Sequence, residues 1–380
     1  MDLLDIGRIV AGLLLLVLGG EFLVRGASAL ARRVGISSLV VGLTVVSAAT
    51  SAPELAVTVG AVLSDEPGLA VGNVVGSNIV NVLLILGLSA LVIPLVVKQR
   101  LVRFDLPLMV ALSVGLLLVS LDGLVSAVDG LVLFSAVVVH GVLTVVLGRR
   151  EAKSPVRPVG SAGSSPAADV AGEDEEPPAT SAGRSVLLVV LGVALLVGGA
   201  TLLVEGAVNI ATTLGVSSLV VGLTVVAVGT ALPELATAII AVRRGERDLA
   251  VGNVVGSNIF NIGVVLGLPA LISPEGIPVA SAAVAFDMPV MLAAALALLP
   301  VAFTGFAVAR WEGALFVALY LAYTGYVVLA ATEHDALEGF TATMAWFVLP
   351  LIAVTLLAFT SYEIGLRKGR QRRVGTTNSP

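Results

Sequence analysis

The chain has 380 residues, 57% of them hydrophobic and only 12% charged, and its mean hydropathy is +1.07. A chain this long with so few charges cannot stay dissolved as a globular protein, so the composition is that of a polytopic membrane protein. The absence of cysteine excludes disulfides, thiolate metal sites and a cysteine nucleophile; two histidines exclude most imidazole-built metal sites; a net charge of −5 with scattered basic residues excludes a nucleic-acid footprint.

Apolar runs close to the ~20 residues that cross a hydrocarbon core lie at 8–30, 36–62, 69–96, 104–120, 128–148, 185–210, 216–242, 249–271, 278–303, 311–332 and 341–365. They are rich in Leu, Val, Ala and Gly and lack the polar/apolar alternation of a transmembrane barrel strand. The expected fold class is therefore an all-α polytopic membrane protein. The first run carries Glu21 and Arg25 without a convincing cleavage site, and it reads as a helix and not as a signal peptide.

Basic residues accumulate in short cytoplasmic loops, and with eleven spans 19 of the 21 lysines and arginines fall on one side. That side holds Arg32 and Arg33; Lys98, Arg100 and Arg103; the 149–184 segment; Arg243, Arg244 and Arg247; Arg310; and the tail from Arg367 to Arg373. The expectation is an integral plasma (inner) membrane protein with its amino terminus outside and its carboxyl terminus in the cytoplasm. Residues 149–184, rich in Pro, Gly, Ser and acids, read as a disordered cytoplasmic linker. A calcium-binding role for its acidic run is the weaker reading.

The sequence is written twice. SSLVVGLTVV at 37–46 returns at 217–226, and LAVGNVVGSNI at 69–79 returns at 249–259. Aligning 36–87 with 216–267 without gaps gives about 32 identities in 52 positions, beyond what shared apolar composition produces. The expected organisation is a five-helix unit at 1–148, the linker at 149–184, a second five-helix unit at 185–332, and an extra helix with a basic tail at 333–380. Five is odd, so the second unit enters the membrane from the opposite face. Such an inverted repeat is the architecture of secondary transporters, with the site between the copies near the midplane.

A charge at the middle of a span costs ~2.5–3.5 kcal/mol or more, so each needs a reason. Glu54, in ATSAPEL, and Glu234, in GTALPEL, each follow a proline at the centre of the second helix of their copy. Pro53 and Pro233 remove a backbone donor, which is expected to free carbonyls around 47–50 and 227–230. Counted along the helices at ~1.5 Å per residue, Ser77 reaches the depth of Glu54, and Ser257 that of Glu234. Gly72, Gly76, Gly252 and Gly256 make small-xxx-small steps for close helix approach. Two carboxylates, the hydroxyls of Thr50, Ser51, Thr230, Ser77 and Ser257, the amides of Asn81 and Asn261, and freed carbonyls form an all-oxygen ligand set. It suits Ca²⁺, and the same groups can hold Na⁺. Ser51, Asn81 and Asn261 stay open between ligand and packing roles. Asn73 and Asn253 lie shallower and read as braces for backbone. Asp105 and Asp287, each in Asp-x-Pro, read as helix N-caps; His140 and His334 read as interfacial; Glu21 and Glu205 lack matching partners across the repeat.

At these residues, ATSAPE…GNVVGSNIVN and GTALPE…GNVVGSNIFN, the sequence resembles the cation/calcium exchanger superfamily in its sodium/calcium exchanger branch. The resemblance covers roughly 1–332. It implies export of Ca²⁺ in exchange for Na⁺, with the first and sixth helices sliding against an eight-helix core. It places the Ca²⁺ carboxylates on Glu54 and Glu234 and the other ligands on Thr50, Ser51, Ser77, Thr230 and Ser257, with Ser47 and Ala227 giving backbone oxygen. Three residues depart from the pattern: Ala49 for glycine, Ala231 for serine, and Asn261 where some members have aspartate. The first reading is thus a Na⁺/Ca²⁺ antiporter, not an enzyme, with no cofactor, no nucleic-acid partner, Ca²⁺ and Na⁺ as substrates, the lipid bilayer as its surroundings and protein partners unknown. The alternatives are a Ca²⁺/H⁺ antiporter and, from a different class, a membrane-embedded hydrolase, which would want paired aspartates or a histidine cluster.

Overall fold

The structure, a computed structural model, describes residues 3–63, 65–153, 181–214, 227–303, 306–355 and 361. The linker, the repeated segment at 217–226 and the basic tail lie outside the described residues. The chain is a membrane protein of helices: α1 (Leu3–Val34), α2a (Ser38–Thr50) and α2b (Ala52–Leu63), α3 (Pro67–Val92), α4 (Leu101–Asp122), α5 (Ala127–Lys153), α6 (Ala182–Thr213), α7a (Ala227–Thr230) and α7b (Leu232–Arg243), α8 (Arg247–Ile272), α9 (Ala283–Ala302), α10 (Arg310–Ala331) and α11 (Ala336–Thr355). Among the described residues nine of these are long and apolar enough to span a bilayer, ten with the broken α2 counted as one. The final helix begins five residues before its expected start.

α2 bends by 44° at Ser51, whose φ/ψ of −83°/6° falls in the bridge region, and Ala231 does the same between α7a and α7b at −89°/4°. The cause is the proline two residues on in each copy, which has no N–H to continue the ladder. The two breaks differ in detail. Ser51 N–H still reaches the Ser47 carbonyl at 2.9 Å, so that carbonyl, expected to be freed, keeps a helical donor; Ala231 N–H turns to Val228, three residues back, at 3.1 Å.

α3 and α8 are buried on nearly all sides and carry their polar residues inward. In their most apolar stretch 83% of α3 and 72% of α8 is buried, against 28% for α1 and 22% for α6. α2a lies against α8, where a Cβ on Gly42 would sit 2.6 Å from the Leu249 carbonyl and one on Gly256 would sit 2.7 Å from the Leu43 backbone. Gly252 and Gly256 thus serve the close approach expected of them. Gly72 and Gly76 meet no other group within 4 Å among the described residues.

α1 and α6 pack on each other antiparallel along a seam of small residues. Gly12 meets Gly199, Gly19 meets Gly192, and Gly26 meets Ser185, each close enough that a Cβ would strike backbone at 2.7–2.9 Å. Steps of seven residues in both helices keep the contacts on one line. Elsewhere the copies interlock: Gly87 of α3 meets Gly313 of α10, and Gly267 of α8 meets Gly130 of α5. Two short antiparallel strand pairs join the loops: β1 (Leu95–Val96) with β4 (Ala307–Val308), and β2 (Leu124–Val125) with β3 (Ile277–Pro278).

Candidate cation site

Glu54 and Glu234 sit in the first turn of α2b and α7b, just after the two bends, and both are 1% exposed. Neither is ion-paired to Lys, Arg or His among the described residues. They lie near enough for their charges to act on each other. The Oε2 atoms of both are buried and have no hydrogen-bond partner among the described residues. Ser51 reaches across the copies to one of these glutamates, its Oγ donating to Glu234 Oε1 at 3.3 Å. Thr50 is also within reach of the Glu234 carboxylate, and its Oγ1 lies 3.1 Å from the Val46 carbonyl and 3.3 Å from Asn253 Oδ1. One hydroxyl proton can serve only one of these acceptors at a time.

The other predicted residues differ in burial and in hydrogen bonding. Ser47, Ser77 and Ser257 are buried, and Ser257 Oγ lacks a hydrogen-bond partner among the described residues. Thr230 is half-buried; Ala227 opens α7a, and its side chain lies outside the described set. Asn81 and Asn261 are each 1% exposed and open or nearly open a π-helical turn at matching places, Val80–Leu86 and Asn261–Leu266. The Oδ1 of each has no hydrogen-bond partner among the described residues, while Asn261 Nδ2 donates across the copies to Asn78 Oδ1 at 3.1 Å. Buried acceptors are normally satisfied. Here both carboxylates and both amides leave a buried oxygen unsatisfied, and oxygen acceptors are the ligands that hard cations take.

The expected backbone brace is seen at Asn73 and not at Asn253 among the described residues. Asn73 holds α2b in place, its amide donating to the Glu54 carbonyl at 3.0 Å and to Thr58 Oγ1 at 2.9 Å. Its counterpart Asn253 instead accepts from Thr50. Asn78 ties the copies together through the Asn258 carbonyl at 3.4 Å. Thr237, fully buried one turn beyond Glu234, went unnoticed because its counterpart is Val57 and the repeat gives no signal there.

The cap reading of two other acids is corrected by the structure. Asp105 makes no side-chain cap bond; it is 1% exposed and faces His140 Nε2 at 3.4 Å, so His140 lies within α5 and not at its end. Asp287 accepts from Tyr323 at 3.0 Å in the equivalent position of the second copy. Capping fails because a π-helical turn, Leu101–Asp105 or Ala283–Asp287, precedes each proline and carries the helix through the aspartate. Glu21 pairs with Arg25 and with Arg244, and Glu205 lies 4.0 Å from Arg8.

Comparison with known proteins decides the family. The model of the sodium/calcium exchanger protein family matches residues 4–146 and 184–329, which takes in both copies. The chain belongs to this family. It is 40% identical over 276 residues to the inner membrane protein YrbG of Escherichia coli, covering 72% of this chain and 81% of that protein. It is 34% identical over 346 residues to the sodium/calcium exchanger MaX1 of Methanosarcina acetivorans, covering 83% of this chain and 96% of the relative. A solved structure of the sodium-calcium exchanger NCX_Mj matches with 32% identity and a TM-score of 0.69, over 84% of this chain and 97% of the other. As a member of the sodium/calcium exchanger family the protein is an integral membrane cation transporter, not an enzyme, with Na⁺ and Ca²⁺ as the family's substrates.

Proposed function

We propose that the protein exports Ca²⁺ in exchange for Na⁺ entering down its gradient, the two ions competing for one site between two oppositely oriented copies. The observation that carries this is the pair of buried glutamates, one from each copy, with unsatisfied oxygens and no basic partner among the described residues. Two carboxylates balance the charge of one Ca²⁺. In this reading Glu54 and Glu234 hold it, with oxygens from Thr50, Thr230, Ser77 and Ser257 and the backbone of Ser47 and Ala227; Ser51, Asn81 and Asn261 complete the Na⁺ positions. Occupation by one ion removes the charge that would attract the other, so release of one favours binding of the other.

Several contacts support opposite orientation. The α1–α6 seam is antiparallel and self-complementary under a shift of 180 residues: Gly12 with Gly199 maps onto Gly192 with Gly19. The strand pairs join the loop after α3 to the loop after α9, and the loop after α4 to the loop after α8, which requires each pair to share a face. Lys98 bonds Asp248 at 2.6 Å and Ser38 bonds Glu246 at 2.8 Å, so three basic loops share one end, which we place in the cytoplasm. The domain limits expected from sequence, 1–148, 149–184, 185–332 and 333–380, follow this arrangement. α1 and α6, closely joined to each other and little buried, are suited to move together while α3 and α8 hold the site, which is the alternating-access step.

The test is ⁴⁵Ca²⁺ uptake into proteoliposomes under Na⁺, K⁺ and pH gradients imposed one at a time. Uptake driven by outward Na⁺ alone is the expected result. Uptake driven by a pH gradient without Na⁺ would replace this reading with Ca²⁺/H⁺ exchange.

A further inference from the structure

The two copies differ at one place that ion exchange does not explain. In the second copy, the half-buried acid of α9 is roofed by rings: Tyr323 bonds Asp287, and Phe286 stacks against Tyr326 with centroids 4.0 Å apart and against Tyr323 at 6.1 Å. In the first copy Phe104 and Asp105 stand where Phe286 and Asp287 do, but His140 and Leu143 replace the two tyrosines. The missing ring volume leaves a cleft of about 300 Å³ between α4 and α5. A volume of this size is at the lower end of what ligand sites offer.

The cleft's walls belong to two chemistries. Leu143, Val139 and Leu147 form a stripe on α5 that is 51%, 56% and 43% exposed, and Phe104 opposite is 65% exposed, so this side faces lipid chains. At the end nearer the basic loops Arg100 enters the lining and donates to the Thr144 carbonyl at 3.0 Å; Arg103 follows on α4 and Arg149 ends the apolar part of α5, both exposed. The single acid of the lining, Asp105, is 1% exposed and faced by His140 Nε2 at 3.4 Å. A cleft with apolar walls below and a cluster of arginines at the membrane surface has the charge and shape of an acidic-lipid site.

We propose that this cleft binds one anionic phospholipid from the leaflet on the side of the basic loops, its phosphate held by the Arg100 end and one acyl chain lying over Leu143 and Val139. The first copy alone carries the site, because in the second the same space is filled by Tyr323 and Tyr326. The lipid would bridge α4 and α5 where the second copy bridges α9 and α10 with a tyrosine hydroxyl and stacked rings.

The second copy also supplies the test. The full-length protein, purified in detergent, is loaded with palmitoyl-oleoyl phosphatidylglycerol or the matching phosphatidylcholine, and retained lipid is counted by native mass spectrometry. The wild type should retain one phosphatidylglycerol with at least ~fivefold preference over phosphatidylcholine, the effect of about one basic charge at a membrane surface. Arg100→Gln should erase most of that preference. His140→Tyr with Leu143→Tyr, which copies the second repeat, should release both lipids while leaving Ca²⁺-dependent thermal stabilisation intact. Equal retention of the two lipids by the wild type, or undiminished phosphatidylglycerol on the double variant, would overturn the proposal. If the double variant does not fold, an unchanged preference in Arg100→Gln overturns it on its own.

Discussion

Ser51 and Glu234 are 183 positions apart in the chain and 3.3 Å apart in space, and the bond between them crosses from one copy of the repeat to the other. The symmetric bond, from residue 231 to Glu54, cannot form, because residue 231 is alanine. Two related halves therefore present their carboxylates in unequal surroundings. Ser51→Ala should weaken ion binding roughly 3–10-fold, the effect of losing one hydrogen bond of about 0.7–1.4 kcal/mol. Ala231→Ser should move Na⁺ affinity the other way. Half-saturation of exchange measured against each ion separately will show whether the two substitutions pull in opposite directions.

Glu54→Gln and Glu234→Gln each remove one of two charges that the proposed Ca²⁺ must balance. Each should lower Ca²⁺ affinity at least ~tenfold, about 1.4 kcal/mol, and reduce flux to background. Isothermal titration on folded protein, alongside vesicle flux, checks this. Normal transport by either variant would show that the ion goes elsewhere.

Asn73 fixes the helix that carries Glu54 through two bonds of 3.0 and 2.9 Å. Asn73→Ala leaves the Thr58 hydroxyl and the Glu54 carbonyl short of a donor, at a cost of about 1–3 kcal/mol. A lower Tm, with Ca²⁺ affinity falling as well, is the expected outcome. A Tm shift without any change in affinity would make Asn73 purely structural.

The α1–α6 seam gives a prediction far from the ions. Gly12→Ala and Gly19→Ala place a methyl within 2.7–2.8 Å of the facing backbone, and overpacking of this kind costs about 1–3 kcal/mol. Gly7→Ala and Gly115→Ala, which meet nothing within 4 Å, are the controls and should be silent. Transport rate and thermal stability should both fall in the first pair only. Equal behaviour in all four would mean that the seam does not hold the two helices.

The all-helical membrane fold, the repeat in the sequence, and the burial of Glu54 and Glu234 were legible in the sequence by itself. Lipid requires long apolar runs with internally paired backbone, a duplicated sequence declares its own alignment, and an acid beside a proline in such a run is costly enough to mark a site. Asn73 and Asn253 show where that reading stops. They occupy identical motifs, yet one braces its own copy's helix and the other receives Thr50. Likewise Asp105 and Asp287 both announce helix caps and instead face His140 and Tyr323. Spacing along one chain reports depth and helix face, but which group a side chain meets depends on how the copies are rotated against each other. Glycine-lined contacts between helices distant in sequence set that rotation, so only the tertiary structure decided it.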